Sequence, residues 1–225
     1  MVDSIMRRAS DRTTVQAFTL VELLLVILVL LFLVSFIVPP AFSGKPRWAG
    51  CNSNQKQAAM GFFMWKADNN EHFPWQDSPT NGGTMESVDR GYAAPNFQIL
   101  SNYLKEPRIF VCPSDKARFS ATNYAQFRNV NLSYFVAFDQ RKQPTDALLT
   151  GDRHLAAANN PVEPGLFVYS TNLTMTWTHE LHNNSKNRTS GVLSFADSHV
   201  ESAPNFRLDF RFQHEGLTTN HLAIP

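Results

Sequence analysis

One short segment has the residue types of a metal site. His179-Glu180-Leu181-His182 places two imidazoles around an acidic residue. Zinc proteases carry such histidines at i and i+4 on a helix, with the glutamate between them as general base. Here the spacing is i and i+3, the surroundings are typical of a loop, and the sequence offers no evident third ligand. We therefore interpret the segment as a coincidence and predict no zinc site.

Two aspartates and two histidines are candidates for an oxygen-rich metal site. Asp152, Asp197, His182 and His199 would converge if the strands that precede the two aspartates are neighbours. Oxygen ligands from loops suit Ca²⁺, which makes Asp152 and Asp197 the calcium candidates. The sequence has no EF-hand spacing, and turn-forming aspartates explain both positions without a metal. We predict no cofactor, with calcium as the alternative.

The chain has two cysteines, Cys51 and Cys112. They are too few for a disulfide framework, but one bridge can form if the domain lies outside the cytoplasm. The bridge would tie a predicted helix to a predicted strand and close a loop of about 60 residues, for which the chain-entropy model gives about 4 kcal/mol. The alternative is two separate buried thiols, which are common.

Nucleophilic catalysis has no recognisable signature in this chain. The G-x-S-x-G turn that exposes a catalytic serine is missing, and neither cysteine is flanked like a nucleophile. We therefore predict that the protein is not an enzyme. The 20 basic and 19 acidic residues nearly balance, so the composition indicates no nucleic-acid partner.

The apolar residues are concentrated near the N-terminus. Residues 1–17 are polar and contain three arginines, and residues 18–38 form a largely apolar run of 21 residues before Pro39-Pro40. A helix of that length is about 31 Å long and matches the roughly 30 Å hydrocarbon core of a bilayer. The arginines favour a cytoplasmic N-terminus.

Glu22 is the one charged residue inside this run. An acidic group costs about 2.5–3.5 kcal/mol at the centre of a membrane helix and less near its end. The residues alone leave two interpretations open. The carboxylate either reaches the membrane interface, which is one turn away, or pairs with another group.

The sequence Ala17-Phe18-Thr19-Leu20-Val21-Glu22 resembles the processing site of type IV pilins and type II secretion pseudopilins. The resemblance implies cleavage between Ala17 and Phe18 and N-methylation of Phe18, both by a prepilin peptidase/methyltransferase. It also implies that Glu22 pairs with the N-terminal amine of a neighbouring subunit during assembly. Ala17 departs from the family, which usually has Gly at this position.

Later segments resemble the large prepilin-like families of planctomycetes and verrucomicrobia. The similarity covers nearly the whole chain and includes Cys51…Asn54-x-Lys56-Gln57, Ile109-x-Val111-Cys112-Pro113-Ser114-Asp115, Ser133-Tyr134-Phe135-Val136, Gly151-Asp152-Arg153 and His182…Phe195-Ala196-Asp197. The last segment resembles a His…Asp-Gly signature, although Ser198 replaces the Gly and the spacing is longer. The resemblance implies an N-terminal helix packed on an antiparallel sheet.

Hydrophobic periodicity and turn residues predict a series of elements along the chain. They are a helix from 51 to near 69, an exposed loop over 75–95, a short helix over 97–104, strands at 109–111, 132–138 and 147–150, and a hairpin over 192–200 that turns at Asp197-Ser198. The predicted fold class is α+β, with a long N-terminal membrane-spanning helix followed by a pilin-like globular domain with an antiparallel sheet.

The predicted domains are a leader peptide (1–17), a transmembrane and assembly helix (18–38), a linker (39–50) and an extracytoplasmic globular domain (51–225). These features predict a prepilin-like structural subunit of a pilus or type II secretion pseudopilus. It would be single-pass in the inner membrane, with a periplasmic or extracellular C-terminal domain. The expected partners are the prepilin peptidase/methyltransferase, homologous pilin subunits and the inner membrane. The alternative is a membrane-anchored extracytoplasmic binding protein that does not polymerise.

We expect co-expression with a prepilin peptidase to remove 17 residues, so that the mature chain begins at Phe18. Mass spectrometry of the N-terminus checks this. Ala17→Gly should keep or improve cleavage, whereas a bulky residue at this position should block it. An N-terminus anywhere else would contradict the prediction.

Overall fold

The computed structural model describes residues 19–37, 47–139, 147–170, 172–178, 182, 190–205 and 219–225. The chain divides into two compact units, Met1–Gly44 and Lys45–Pro225. The first unit contains one described helix, α1 (Leu20–Ile37), and the second contains all other described helices and strands. The predicted leader and the predicted cleavage site, Ala17 and Phe18, lie outside the described residues.

The helix α1 is shorter than the membrane-spanning helix predicted over residues 18–38. Its 18 residues extend about 27 Å, against a hydrocarbon core of about 30 Å. Thr19, directly before Leu20, caps its start.

Within the described residues, no helix is both long and apolar enough to cross a membrane. The predictions of a membrane-spanning helix, of the fold class that contains it, and of a single-pass location in the inner membrane are therefore wrong. The structure instead has an antiparallel sheet domain and, in its described part, three α-helices.

The helix α2 (Arg47–Asp68) forms because buried residues recur at every third or fourth position. Its buried face includes Cys51, Gln55, Ala58, Phe62 and Trp65. The helix begins four residues before the predicted start, since Gly50 is helical and is not part of a linker. A Cβ at Gly50 would lie 3.1 Å from Cγ of Pro113, so the glycine serves a close approach between helix and loop.

Short helical turns fill the region between α2 and the sheet. They are α3 (Ala94–Gln98) and 3-10 turns at Pro74–Gln76, Pro79–Asn81, Met85–Ser87, Ile99–Asn102, Pro107–Phe110, Tyr124–Gln126 and Asn129–Asn131. The exposed loop predicted over 75–95 is wrong in part, because Trp75, Ala93 and Ala94 are buried. The strand predicted at 109–111 is also wrong. Pro107 begins a 3-10 turn there, and proline suits the first position of a helical turn.

The larger sheet has six strands, and every neighbouring pair is antiparallel. In spatial order they are β5 (Gly165–Ser170), β9 (Thr219–Ile224), β1 (Tyr134–Ala137), β2 (Leu148–Asp152), β7 (Ser190–Phe195) and β8 (Val200–Pro204). A smaller antiparallel sheet has the order β4 (Asn160–Pro161), β3 (Leu155–Ala157) and β6 (Met175–Trp177).

Both faces of the larger sheet are covered. On one face, Phe62 of α2 belongs to a buried aromatic cluster with Phe97 and Phe110. On the other face, Phe135 and Leu193 belong to a cluster with Trp177 of β6. All four residues of β1 are consequently buried, because successive side chains point to opposite faces and both faces are packed.

The hairpin predicted at Asp197-Ser198 is confirmed. β7 pairs with β8 in an antiparallel register that places Leu193 opposite Glu201. Ser198 has a φ of 68°, the left-handed conformation that tight hairpin turns use. The turn therefore fixes the direction in which the side chains on either side of it project.

Phe62→Ala should destabilise the second unit by about 3–5 kcal/mol, since it leaves a cavity in a packed core. Phe62 is fully buried and packs edge-on against Trp75 and Phe97, at ring-centroid distances of 5.5 and 5.3 Å. Urea unfolding followed by tryptophan fluorescence measures the loss. The matched control is the next residue, Phe63→Ala, which is 45% exposed and should change stability by less than about 1 kcal/mol. Equal losses for the two variants would contradict the packing.

Candidate functional site

The N-terminal end of α1 is closed by a capping box between Thr19 and Glu22. The backbone N–H and the hydroxyl of Thr19 both lie 2.9 Å from Oε2 of Glu22, and the Glu22 N–H donates to the Thr19 hydroxyl at 3.2 Å. This reciprocal pairing satisfies backbone donors that a helix start leaves unpaired. Glu22 therefore has a structural role within its own chain, whatever it contacts outside it.

The capping box also holds Glu22 in its charged form. The hydrogen bonds from Thr19, first from the backbone and then from the hydroxyl, lower the pKa of the Glu22 carboxyl. The sequence contained this signal, because Thr-x-x-Glu before an apolar run is the capping-box pattern. The capping role was nevertheless not predicted, since the same residues form the segment that resembles a prepilin processing site.

Cys51 and Cys112 are joined by a disulfide, with their Cα atoms 4.9 Å apart. Cys51 lies in α2, and Cys112 follows the 3-10 turn Pro107–Phe110. Both residues are fully buried. The bond spans 61 residues and attaches α2 to the loop that leads into the sheet.

Next to the disulfide, Asp152 and His182 form a buried pair. Nε2 of His182 lies 3.1 Å from Oδ2 of Asp152 and 3.8 Å from Sγ of Cys112. The His182 and Asp152 side chains are 3% and 0% exposed. The N–H of Val192 in β7 donates to the same Oδ2 at 2.7 Å, which fixes the carboxylate. Four residues were predicted to converge if their strands are neighbours. Two of them, Asp152 and His182, lie together where β2 pairs with β7.

This group does not have the geometry of a cysteine–histidine–aspartate triad. A triad needs the two imidazole nitrogens on opposite partners, one toward the nucleophile and the other toward the carboxylate. Here one atom, Nε2 of His182, faces both Cys112 and Asp152. The sulfur is moreover already bonded to Cys51. The arrangement supports a structural or ligand-holding role better than nucleophilic attack.

The second aspartate and histidine pair lies elsewhere on the sheet. Asp197 Oδ1 accepts from the His199 N–H at 2.8 Å and lies 2.6 Å from the His199 ring Nδ1, within the β7–β8 turn. Asp152 is hydrogen-bonded to the N–H of Val192. From Val192 to Phe195, where β7 ends and the turn begins, the extended strand covers about 10 Å. Asp152 and Asp197 therefore do not share one calcium site. The first histidine of the 179–182 segment lies outside the described residues.

A buried charge cluster that was not predicted from the sequence is centred on Asp115, in the loop after Cys112. Arg153 makes two hydrogen bonds to Asp115, Nε to Oδ2 at 2.9 Å and Nη2 to Oδ1 at 3.2 Å, and the hydroxyl of Ser133 adds a third at 2.9 Å. The Asp115 side chain is 1% exposed and that of Arg153 is 16% exposed. Burial raises the pKa of Asp115, but the hydrogen bonds and charge of Arg153, with smaller effects of the Ser133 hydroxyl and the charge of His154, together leave the pKa lowered.

Comparison with known proteins adds no relative. No protein-family model, no curated protein and no solved structure matches this chain. The function is therefore inferred from the geometry of the chain itself.

We expect Arg153→Gln to destabilise the protein at pH 7 by about 2–4 kcal/mol, because it leaves a buried carboxylate without its cation. The pKa of Asp115 is lower in the folded state, so its pairing stabilises the fold fully above the unfolded pKa of about 3.9 and loses this effect as the pH falls through the folded value. The deficit of the variant should therefore shrink at acid pH. Urea unfolding between pH 7 and pH 3 measures both effects.

The control for this experiment is Arg108→Gln. Arg108 pairs with Glu106 at 2.8 Å, but both side chains are largely exposed, at 71% and 60%. Exposed pairs contribute about 0–1 kcal/mol, so this variant should be nearly neutral at every pH. A deficit of Arg153→Gln that does not change with pH would rule out the titration of Asp115 as its cause.

Proposed function

We propose that this chain is a prepilin-like structural subunit that assembles with copies of itself, or with related subunits, through α1. The observation that carries the proposal is the exposed apolar surface of α1. Each of the fourteen large apolar side chains between Leu20 and Val34 is 43% to 79% exposed. They lie all around the helix, whereas a helix that packs on one partner needs only one apolar stripe.

Assembly supplies the cover that this surface lacks. Burying one aliphatic or aromatic side chain contributes about 1.5–3 kcal/mol, so covering these half-exposed side chains contributes on the order of 10–20 kcal/mol. One neighbour can cover only one side of a helix, so several neighbouring helices are needed to cover α1 on all sides. A bundle of like helices at the centre of a filament meets this requirement.

Glu22 would determine which group of a neighbouring subunit pairs with α1 in such a bundle. Both hydrogen bonds from Thr19 end on Oε2, so among the described residues Oε1 has no assigned donor. In an apolar bundle an ionised carboxylate requires a cationic or hydrogen-bonding partner. The amine freed by cleavage before Phe18 would supply that partner from a neighbouring subunit, as the resemblance to prepilins implies. Thr19 would then present Glu22 in its charged form.

We expect wild-type chain co-expressed with a prepilin peptidase to form multimers, detected by crosslinking and by electron microscopy of filaments. Leu28→Asp should abolish them, because it places a charge among packed apolar side chains. Glu22→Leu should reduce assembly strongly. Glu22→Gln should reduce it less, since it retains a hydrogen-bond acceptor but loses the charge.

The matched control is Thr19→Ala. This variant removes the cap, which costs about 0.5–2 kcal/mol of helix stability, but it keeps the Glu22 carboxylate. If Thr19→Ala assembles and Glu22→Leu does not, the carboxylate acts between subunits; equal defects would assign Glu22 to capping alone. A wild-type chain that stays monomeric after processing, or Leu28→Asp chains that assemble normally, would overturn the proposed function.

A further inference from the structure

The buried atoms around the disulfide converge as metal ligands do. Sγ of Cys51, Sγ of Cys112 and Nε2 of His182 lie within 4.8 Å of one another. Oδ2 of Asp152 lies 3.1 Å from the same Nε2. We propose that, when the disulfide is reduced, these residues bind a divalent ion of the zinc class, with Cys51, Cys112 and His182 as ligands and Asp152 as the fourth.

The distances support a tetrahedral site. With Zn–N and Zn–O distances near 2.1 Å and Zn–S near 2.3 Å, a tetrahedron has edges of about 3.4 Å from N to O, 3.6 Å from N to S and 3.8 Å from S to S. The observed edges are 3.1 Å from His182 to Asp152 and 3.8 Å from His182 to Cys112. These two edges lie within about 0.3 Å of the ideal values, and the S–S edge must lengthen, which reduction permits.

The polar atoms of His182 and Asp152 are not fully paired by hydrogen bonds among the described residues. Nε2 of His182 carries at most one proton, yet it faces both a carboxylate oxygen and a sulfur. Oδ1 of Asp152 is buried and has no hydrogen-bond partner among the described residues. Buried carboxylate oxygens are normally paired, and each unpaired one is costly. A cation bound to Nε2 and to the carboxylate would compensate the charge of this incompletely paired group.

Two of the four ligands are held on regular elements. Cys51 is in α2, Asp152 ends β2, and the N–H of Val192 in β7 holds the Asp152 carboxylate. Sites on helices and strands keep their geometry better than sites on loops. Two cysteine sulfurs and one histidine nitrogen also form a set of ligands that suits zinc and disfavours calcium.

The reaction balances with an external dithiol or phosphine as reductant. The reductant supplies two electrons, the Cys51–Cys112 bond breaks, and the two sulfurs take up two protons. Metal binding then displaces these two protons, and His182 keeps its proton on Nδ1 while Nε2 binds the ion. Oxidation by the reverse route forms the disulfide and releases the ion.

The test uses the full-length chain with Co²⁺ as a spectroscopic substitute for zinc. After reduction with a phosphine, wild type should bind one Co²⁺ and show the thiolate charge-transfer and visible bands of a tetrahedral site. The oxidised protein should show neither. His182→Ala and Asp152→Asn should each weaken Co²⁺ binding at least about 10-fold, the usual effect of losing a group around a bound metal. Thiol titration of every sample confirms that both cysteines are reduced.

His199→Ala is the matched control, because His199 is also paired with an aspartate but lies in the β7–β8 turn. It should bind Co²⁺ as wild type does. If reduction unfolds the chain, Zn²⁺ added during refolding should restore the tryptophan circular dichroism of wild type and not of His182→Ala. The proposal is overturned if reduced wild type neither binds Co²⁺ nor is rescued by Zn²⁺, or if His182→Ala behaves as wild type does.

Discussion

The packing of α2 against β2 and β7 is the constraint on which the rest of the second unit depends. The buried face of α2 carries a polar residue, Gln55. Its side-chain Oε1 accepts a hydrogen bond from the Thr150 hydroxyl of β2. The Thr150 hydroxyl in turn bonds to Ser194 of β7 at 2.7 Å. Buried polar groups need matched partners, so this chain of hydrogen bonds favours this placement of the helix on the two strands. That placement brings Cys51 to Cys112 and sets the disulfide beside Asp152.

Sequence patterns could predict the elements whose signal is local. Buried positions at helical spacing predict α2, and the turn residues Asp197-Ser198 predict the β7–β8 hairpin. The patterns could not show that both faces of the larger sheet are covered, because the second cover comes from β3 and β6, which carry few residues. The prediction of a linker at Gly50 is wrong for a related reason. Glycine is typical of a linker when only its neighbours in sequence are considered, but Gly50 lies in α2 and allows close contact with a loop more than sixty positions away.

The N-terminal segment shows how one short pattern can serve two physical purposes. Thr19 and Glu22 belong to a segment that resembles a processing and assembly signal, and they also close the first turn of α1. The cap places the start of the helix at Leu20. Composition gives the length of an apolar run, whereas capping determines where a helix begins within it.

The position of β9 has a consequence for folding during synthesis. β9 lies between β5 and β1, and where it meets the end of β1 the Asp139 carboxylate accepts a hydrogen bond from His221, 82 residues later in the chain. Until residues 219–224 have left the ribosome, β1 and β5 each have an unpaired edge, and such edges are prone to pair with other chains. Closing so long a loop is slow compared with forming the hairpin of β7 and β8. The nascent chain therefore passes through a stage in which helix and hairpin can form while the middle of the sheet is still open.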